Sequence, residues 1–269
     1  MEKIPLKELQ NLIYSIFVEF DRICRKHNIK YSMEGGTLMG AVKFSDFVPW
    51  DDDIDVIMTR AEYIKFLKVA PKELNEKFFL QSYNNVPEFP LNYAKLCLNG
   101  TEIYDYAYTH IKNMHHGIFM DIFPIDNVKP TNLRMHCSQV GVLTGARKVK
   151  LKINCGKNGI KTKVYKLLSL LPMKFLCNSL DFFCRKYNNK STGYMYEICN
   201  PNRKFSPLKS EIYEEFIELP FRDGKFMAIE RYDDLLKSRF GENYMSELPV
   251  AEARKPSHNS NIRIISGDT

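Results

Sequence analysis

Regularly spaced cysteines and long apolar runs are both missing from this chain of 269 residues. Its seven cysteines lie at irregular spacing, and no two of them form a C-x-x-C pair. An odd, irregular set argues against a disulfide framework and against a zinc ribbon. No segment approaches the roughly 18 uncharged apolar residues that a membrane-spanning helix needs. We therefore expect reduced cysteines in a globular protein without a bilayer-spanning helix.

The first residues also lack the apolar stretch of a secretory signal peptide, because charged side chains interrupt residues 1–8. This absence predicts a cytoplasmic protein. The net charge is +7, yet no recognisable nucleic-acid-binding module is present, so we expect no nucleic-acid partner. The length and a hydrophobic content of 44% are sufficient for a sizeable core.

Acidic residues are nearly absent from one region, Lys129 to Lys190, where Asp181 is the only acid among many lysines and arginines. Within it, residues 161–187 mix basic and large apolar side chains around Pro172, a pattern typical of amphipathic helices. Two interpretations stay open. The helices pack on the rest of the protein, or they form a surface that contacts an anionic membrane from its inner face.

Carboxylates are instead concentrated in residues 50–56, whose sequence is Trp-Asp-Asp-Asp-Ile-Asp-Val. Like charges this close raise the pKa of their neighbours unless a cation neutralises them, and oxygen ligands favour Mg²⁺ or Mn²⁺. The alternation from Asp53 to Met58 predicts a strand that places Asp53 and Asp55 on one face. A solvated loop is the usual alternative, but this cluster runs directly into an apolar strand.

A glycine pair, Gly35-Gly36, precedes the acidic cluster. We predict a tight turn there, between a short strand over 29–33 and a short helix that starts at Thr37. Glycine lets the backbone approach a phosphate closely, and the N–H groups at a helix start attract anions. Gly35, Gly36 and Thr37 are therefore candidates to bind phosphate oxygens beside the metal.

A further acid, Asp121, lies within a predicted apolar strand over 117–126. Burying a carboxylate is costly unless it is paired or metal-bound, so we interpret Asp121 as a third metal ligand or as a base for an attacking hydroxyl. A salt-bridged structural acid is the alternative. Lys43 and Lys95 are candidates to neutralise phosphate charge, although Lys95 is equally consistent with a plain edge-strand lysine. Together these residues predict metal-assisted displacement at phosphorus.

Three sequence blocks, Gly36–Lys43, Phe47–Asp55 and Phe119–Asp126, resemble the LicD family, which includes the fukutin-related proteins. Segments between Leu219 and Pro249 are similar to the end of that family. The resemblance implies an α/β (α+β) fold of the nucleotidyltransferase type, related to polymerase beta: a mixed sheet flanked by helices, with a helical basic insertion. Asp46 stands where the family commonly has glycine, a departure that leaves the acidic residues intact.

By position, the resemblance assigns Asp53 and Asp55 to the metal-binding pair and Asp121 to the third acid of the fold. It implies Mg²⁺-dependent transfer of a phospho-alcohol, best known as phosphocholine, from a CDP-choline or CDP-ribitol type of donor. The implied acceptor is a sugar hydroxyl of a lipopolysaccharide or teichoic acid precursor, and CMP is released. Two alternatives stay open: a nucleotidyltransferase that moves NMP to a small molecule or protein, and a non-catalytic scaffold associated with glycan or membrane.

The order of patterns predicts three parts: a catalytic core over 1–128, a basic helical subdomain over 129–205, and a C-terminal part over 206–269 that packs back on the core. We expect helices over 6–26, 60–70 and 229–239, strands over 78–82 and 93–98, and a hairpin at Asp223-Gly224. The residues after Pro256 are expected to be loosely ordered.

Overall fold

The computed structural model describes residues 4–103, 107–155, 159–201, 206–246 and the backbone of 262–264. The helices are α1 (Leu6–Lys26), α2 (Gly35–Phe44), α3 (Arg60–Glu73), α4 (Leu133–Lys150), α5 (Ile160–Leu168), α6 (Met173–Cys184) and α7 (Tyr232–Phe240). The strands are β1 (Ser32–Met33), β2 (Asp55–Thr59), β3 (Phe78–Gln81), β4 (Ala94–Leu98), β5 (Thr101–Ile103), β6 (Phe119–Asn127), β7 (Tyr194–Tyr196), β8 (Leu208–Lys209), β9 (Phe216–Phe221), β10 (Gly224–Ile229) and β11 (Ile262–Ile264).

A mixed sheet with the strand order β1-β2-β6-β4-β3 forms the centre of the protein. Strands β2 and β6 are parallel, whereas the other neighbours in this order are antiparallel. Strand β7 extends the sheet by pairing with the end of β6, and β8 pairs with β7. The expected mixed sheet flanked by helices is confirmed, and it is consistent with a nucleotidyltransferase-like domain.

Helix α1 forms as its apolar periodicity predicts, and its inner stripe is buried in the main core. Phe17 on this stripe stacks on Phe226 of β10 with ring centroids 4.2 Å apart. The β9–β10 hairpin is therefore fixed against the N-terminal helix; it forms where expected, with Arg222 and Asp223 as its turn and Gly224 as the first residue of β10. Aromatic pairs in this geometry add to the free energy gained by burying their area.

Helices α4 and α6 build a second cluster of buried side chains, which includes Val140, Leu176 and Leu180. Arg147 of α4 is fully buried there and donates hydrogen bonds to the side chain of Asn92 and the carbonyl of Phe89. These bonds join the helical region to the loop before β4. Helix formation in the basic region is thus confirmed.

Three local predictions need correction. Gly35 and Gly36 are the first residues of α2 rather than a separate turn, because the carbonyl of Glu34 already accepts the bond from the Leu38 N–H, at 3.2 Å. Glycine suits the first position, because Gly35 has a φ of 54°, a left-handed conformation that it adopts without steric cost. Strand β2 begins at Asp55 rather than Asp53.

The third correction concerns the C-terminal end, where Ile262–Ile264 pairs antiparallel with β5 although we expected loose order after Pro256. The neighbouring residues 247–261 and 265–269 lie outside the described residues. The predicted cap at Thr59 is confirmed, because its hydroxyl accepts a bond from the Glu62 N–H, and α3 then continues to Glu73.

Candidate active site

Asp55, Asp121 and Lys95 form a row across three neighbouring strands. Asp55 of β2 is the register partner of Asp121 of β6, and Asp121 is in turn the partner of Lys95 on β4. Residues in register on neighbouring strands point to the same face, with strands about 4.8 Å apart. The Asp121 N–H donates to the carbonyl of Ile54, which fixes this register at the start of β2. The structure thus brings together three residues that the sequence singled out from distant segments.

The carboxylate of Asp121 is held by a lysine but is only partly satisfied. Lys95 Nζ lies 2.9 Å from Asp121 Oδ1, and the two side chains are 9% and 13% exposed. This contact is an ion pair, and Asp121 Oδ1 accepts no hydrogen bond from any other described residue. A carboxylate has about four lone-pair sites, so one ionic contact leaves Asp121 able to bind a cation or accept a proton as well.

The glycine pair lies directly against the acids. A Cβ atom at Gly35 would lie 3.8 Å from Asp55 Oδ2, and one at Gly36 would lie 2.2 Å from Asp51 Oδ2. The second distance excludes any side chain at Gly36 unless Asp51 moves. The first turn of α2, with its N–H groups unused by the helix, is therefore adjacent to the carboxylates. This combination of donors and acids suits a metal-bound phosphate.

The hydroxyl of Thr37 has a partner inside the fold. Its hydroxyl accepts a hydrogen bond of 2.9 Å from the Asp55 N–H, and its side chain is buried. The bond joins the first turn of α2 to the first residue of β2. Thr37 therefore positions Asp55, a role that the sequence pattern did not indicate.

Three consecutive acids form a second group beside this row. Carboxylate oxygens of Asp51, Asp52 and Asp53 all lie within 4.8 Å of one another. Burial, together with the charge of Asp53 and a hydrogen bond to it, raises the pKa of Asp51 to about 8. The acids therefore cannot all ionise at neutral pH without a cation. An all-oxygen donor set of this kind fits Mg²⁺ or Mn²⁺.

Asp53 was predicted to share a strand face with Asp55, but it precedes β2 and hydrogen-bonds to Asp51 instead. Asp51 in turn contacts Gly36, the neighbour of the glycine that faces Asp55. The link between the two groups of acids therefore passes through the start of α2. The set Asp53, Asp55 and Asp121 remains a prediction for the metal ligands, and the structure adds Asp51 to it.

Lys43 lies away from the acids. It is in the last turn of α2, eight residues after Gly35 and so about 12 Å along the helix axis. Its Nζ donates to the carbonyl of Tyr244 at 3.2 Å, which ties the helix to the segment after α7. The structure does not bring it to the row that contains Lys95.

Two features near the acids were missed by sequence reasoning. Tyr93 lies two residues before Lys95, and burial and the charges of Asp121 and Asp55 raise the pKa of its hydroxyl well above the usual value. Its ring packs on Phe123 with centroids 4.3 Å apart. The period-two spacing from Lys95 was the available signal, because it places both side chains on one face of the chain.

The other feature is a buried ion pair between Glu34, just before α2, and Arg239 of α7. Their side chains are 0% and 6% exposed, so the start of α2 is anchored to the C-terminal helix. The sequence offered one signal for this pair, a charged residue that directly follows the short strand β1 and precedes the glycine pair. Its partner, 205 residues away, was not readable.

Comparison with known proteins agrees with this geometry. Residues 28–140, which include the glycine pair and all the acids of the site, match the family described as LicD/FKTN/FKRP, nucleotidyltransferase domain. The chain is 29% identical to the lipopolysaccharide cholinephosphotransferase LicD of Haemophilus influenzae, over 96% of this chain and 97% of that protein.

Shorter similarities join it to two uncharacterised Rickettsia proteins. One, from Rickettsia typhi, is 35% identical over 60 residues, which are 22% of this chain and 19% of that protein. The other, from Rickettsia prowazekii, is 33% identical over 60 residues, which are 22% of this chain and 23% of that protein. Residues 28–140 are thus similar to the nucleotidyltransferase domain of the LicD family, and the chain is similar from end to end to one lipopolysaccharide cholinephosphotransferase.

Proposed function

We propose that this protein transfers phosphocholine from CDP-choline to a sugar hydroxyl of a lipopolysaccharide precursor, with a divalent cation at the acids and with release of CMP. The similarity to a cholinephosphotransferase over nearly the whole of both chains supports the group transferred and the acceptor. The observation that carries the chemistry is the row of Asp55, Asp121 and Lys95 beside the first turn of α2.

In the proposed step, the oxygen of the sugar hydroxyl forms a bond to the phosphorus that carries choline. The bond between that phosphorus and the bridging oxygen of the donor breaks, and CMP leaves with the bonding electrons. The hydroxyl proton goes to a base, for which the Asp121 carboxylate is the candidate, because it lies in the row beside Asp55 and has Lys95 as its one ionic partner among the described residues.

The acids on the other side of the site, Asp51, Asp53 and Asp55, are the candidates to hold Mg²⁺. When bound, the ion supplies charge stabilisation for the phosphate oxygens as the bond to CMP breaks. The N–H groups of Gly35 and Gly36 donate to those oxygens from the helix start. Alignment of the hydroxyl with the breaking bond supplies a further large part of the acceleration.

A quaternary ammonium group is bound by the faces of aromatic rings. Tyr93 is our candidate for one such face, because its ring lies at the edge of the row of acids and is held by Phe123. Phe119 is less suited, since the ammonium of Lys95 already lies 2.9 Å from its ring centroid. Replacing Tyr93 with leucine is expected to raise KM for the choline donor more than it lowers kcat.

The function is tested by incubating the purified protein with Mg²⁺ and a panel of CDP-alcohols and by following CMP. CDP-choline is expected to give CMP faster than CDP-ribitol, even as slow hydrolysis without acceptor. Asp55→Asn should abolish this release, whereas Asp234→Asn, a control at an exposed residue of α7, should keep it. Equal release by all donors, or none with any, would contradict the proposed donor.

A second function is favoured by the description of the matching domain as a nucleotidyltransferase domain. Such an enzyme would move NMP from a nucleoside triphosphate and release pyrophosphate instead of CMP. The same assay separates the two, because the products differ in mass. Calorimetric titration with Mg²⁺ tests the remaining alternative, a non-catalytic scaffold, for which no binding is expected.

A further inference from the structure

Exposed apolar side chains are concentrated on the helical pair α5–α6. The five most exposed large apolar side chains that the structure describes all lie between residues 160 and 182: Ile160 at 83%, Leu170 at 78%, Leu167 at 68%, Phe182 at 67% and Phe175 at 54%. Single exposed apolar residues are normal, but a concentration of them indicates a surface that another phase or molecule covers.

These side chains are not needed for the core. On α6, the residues that pack inward are Leu176, Leu180 and Cys184, whereas Phe175 and Phe182 point outward. On α5, all of which the structure describes, no residue is buried, and the helix is seated by Tyr165. The Tyr165 ring packs against Gly145 of α4, where a Cβ atom would lie only 2.6 Å from it.

The exposed apolar residues of α5 follow helical spacing. Ile160, Val164 and Leu167 are four and three residues apart, so they form one stripe along the helix. Leu170 continues it at the corner and Phe175 begins the next helix. We call these five residues, Ile160, Val164, Leu167, Leu170 and Phe175, the outer stripe.

Positive charge flanks the outer stripe. Lys161, Lys163, Lys166 and Lys174 are all exposed on the same two helices. Between Lys129 and Lys190 the chain has fourteen lysines and arginines but one acid, Asp181, whose carboxylate is paired with Arg185 at 2.8 Å. Since the whole chain carries only +7, the remaining residues are net acidic, and the positive charge is localised here.

A groove next to the outer stripe carries more positive charge. It has a volume of about 700 Å³ between α4 and α5, and its lining includes Arg134, Lys148 and Lys161 together with hydroxyl groups of Ser138 and Thr144. Cations and hydroxyl donors of this kind suit a phosphate group. Apolar and phosphate-binding surfaces are therefore adjacent on one part of the protein.

The helical pair is not built as a straight membrane crossing. Among the described residues, no single helix is long and apolar enough to span a bilayer, and α5 with α6 meets that test only as a pair bent by 118°. One face of α6 is moreover buried against α4. An amphipathic pair with a basic flank instead suits the interface of a membrane, where apolar side chains enter the acyl boundary and lysines meet anionic headgroups.

We propose that α5 and α6 dock this protein on an anionic lipid bilayer through the outer stripe and its flanking lysines. The test is flotation of the full-length protein with vesicles of phosphatidylcholine, with or without phosphatidylglycerol, at low and high salt. The protein is expected to float with anionic vesicles at low salt and to be released by high salt, because part of the attraction is screened.

Two sets of variants separate the contributions. Leu167→Ser/Leu170→Ser/Phe175→Ser is expected to lower vesicle partitioning at least about tenfold, because buried methylene groups are lost. Lys161→Glu/Lys163→Glu/Lys166→Glu is expected to lower it by about fivefold or more for each lysine on anionic vesicles. The matched control, Val18→Ser/Ile64→Ser/Met245→Ser, removes exposed apolar side chains elsewhere and should leave partitioning unchanged.

Every substituted side chain is exposed, so each variant is expected to keep the fold. Thermal unfolding of each variant checks this. The proposal is overturned if the wild-type protein does not float with anionic vesicles at low salt, or if the control loses as much binding as the stripe variant. It is also overturned if the wild type is a dimer in solution that the stripe variant makes monomeric without affecting flotation. That result would assign the stripe to self-association.

Discussion

Strand β6 carries two aspartates in opposite surroundings, and the contrast separates a structural acid from a functional one. Asp126 is fully buried and accepts hydrogen bonds of 2.8 and 2.6 Å from Arg60 and of 2.6 Å from the amide of Asn188. Asp121, five residues earlier, has one partner among the described residues, the ammonium of Lys95, which lies 2.9 Å from its Oδ1.

The difference follows from strand geometry. Residues five apart in a strand point to opposite faces, so the two carboxylates enter different environments although both lie in the same apolar sequence. A carboxylate whose lone pairs are filled by a guanidinium and an amide stabilises the fold and has little left for a ligand. One that is only half satisfied can bind a cation or accept a proton.

The largest effect is expected at the half-satisfied acid. Asp121→Asn should lower the rate of phospho-alcohol transfer at least about a thousandfold, because the base and part of the charge at the metal are lost. The free energy of unfolding should fall by less than in a variant of Asp126, because the ammonium of Lys95 would still contact the ring of Phe119 after its carboxylate partner is lost. Turnover and urea unfolding measure the two quantities, and wild-type-like turnover would remove Asp121 from the site.

Substitution of Asp126, the structural acid, should affect stability more than turnover, the reverse of the pattern at Asp121. Asp126→Asn is expected to lower the free energy of unfolding by about 3–5 kcal/mol, because Arg60 is left as a buried, unpaired charge. Turnover per folded molecule should change little. The exposed pair Arg185–Asp181 provides the control, as Arg185→Ala should cost less than about 1 kcal/mol. If Asp126→Asn and Arg185→Ala lowered the free energy of unfolding equally, burial would not be what distinguishes the two ion pairs.

A smaller effect is expected where the glycine pair meets the acids. Gly36→Ala places a methyl group 2.2 Å from Asp51 Oδ2, so that carboxylate must shift. A displacement of about 1 Å within a catalytic site costs about a hundredfold in rate. Gly141→Ala in α4 is the matched control, because its nearest neighbour would be 3.9 Å away and alanine favours a helix. Steady-state kinetics measures the rates of both variants. Equal rates for Gly36→Ala and Gly141→Ala would contradict the role of the contact between Gly36 and Asp51.

The smallest effect is expected at Asp46, an acid that is paired like Asp126 but is partly exposed. Burial opposes ionisation of Asp46, but hydrogen bonds from Arg222 and from the Phe47 N–H hold its pKa below the usual value. The pair therefore contributes stability above the unfolded pKa of about 3.9, and this contribution is lost as the pH falls through the lower folded pKa.

Asp46→Asn should accordingly cost at most about 1 kcal/mol at neutral pH, a small value because the Asp46 side chain is 37% exposed. Urea unfolding across pH should show this difference shrink toward zero in acid. A difference that stays constant with pH would contradict the ion-pair origin.

Much of the fold was readable from local patterns. The apolar spacing of residues 6–26 and the cap at Thr59 each predicted a helix that the structure contains. The Asp223-Gly224 dipeptide predicted the β9–β10 hairpin, although the turn itself is Arg222-Asp223. Boundaries near the site were less readable. The start of β2 is set by the Thr37 hydroxyl bond to the Asp55 N–H, a contact between segments that no local pattern encodes.

The sequence by itself determined that acids, glycines and apolar strands occur together, because residue type and spacing are local properties of the chain. Only the tertiary structure decided which acid faces which partner. Asp121 meets Asp55 and Lys95 because β6 lies between β2 and β4 in one register, and Asp126 meets Arg60 because both lie at the other end of the same strand pair. Register and strand order are set by long-range packing and hydrogen bonding, which a linear pattern does not contain.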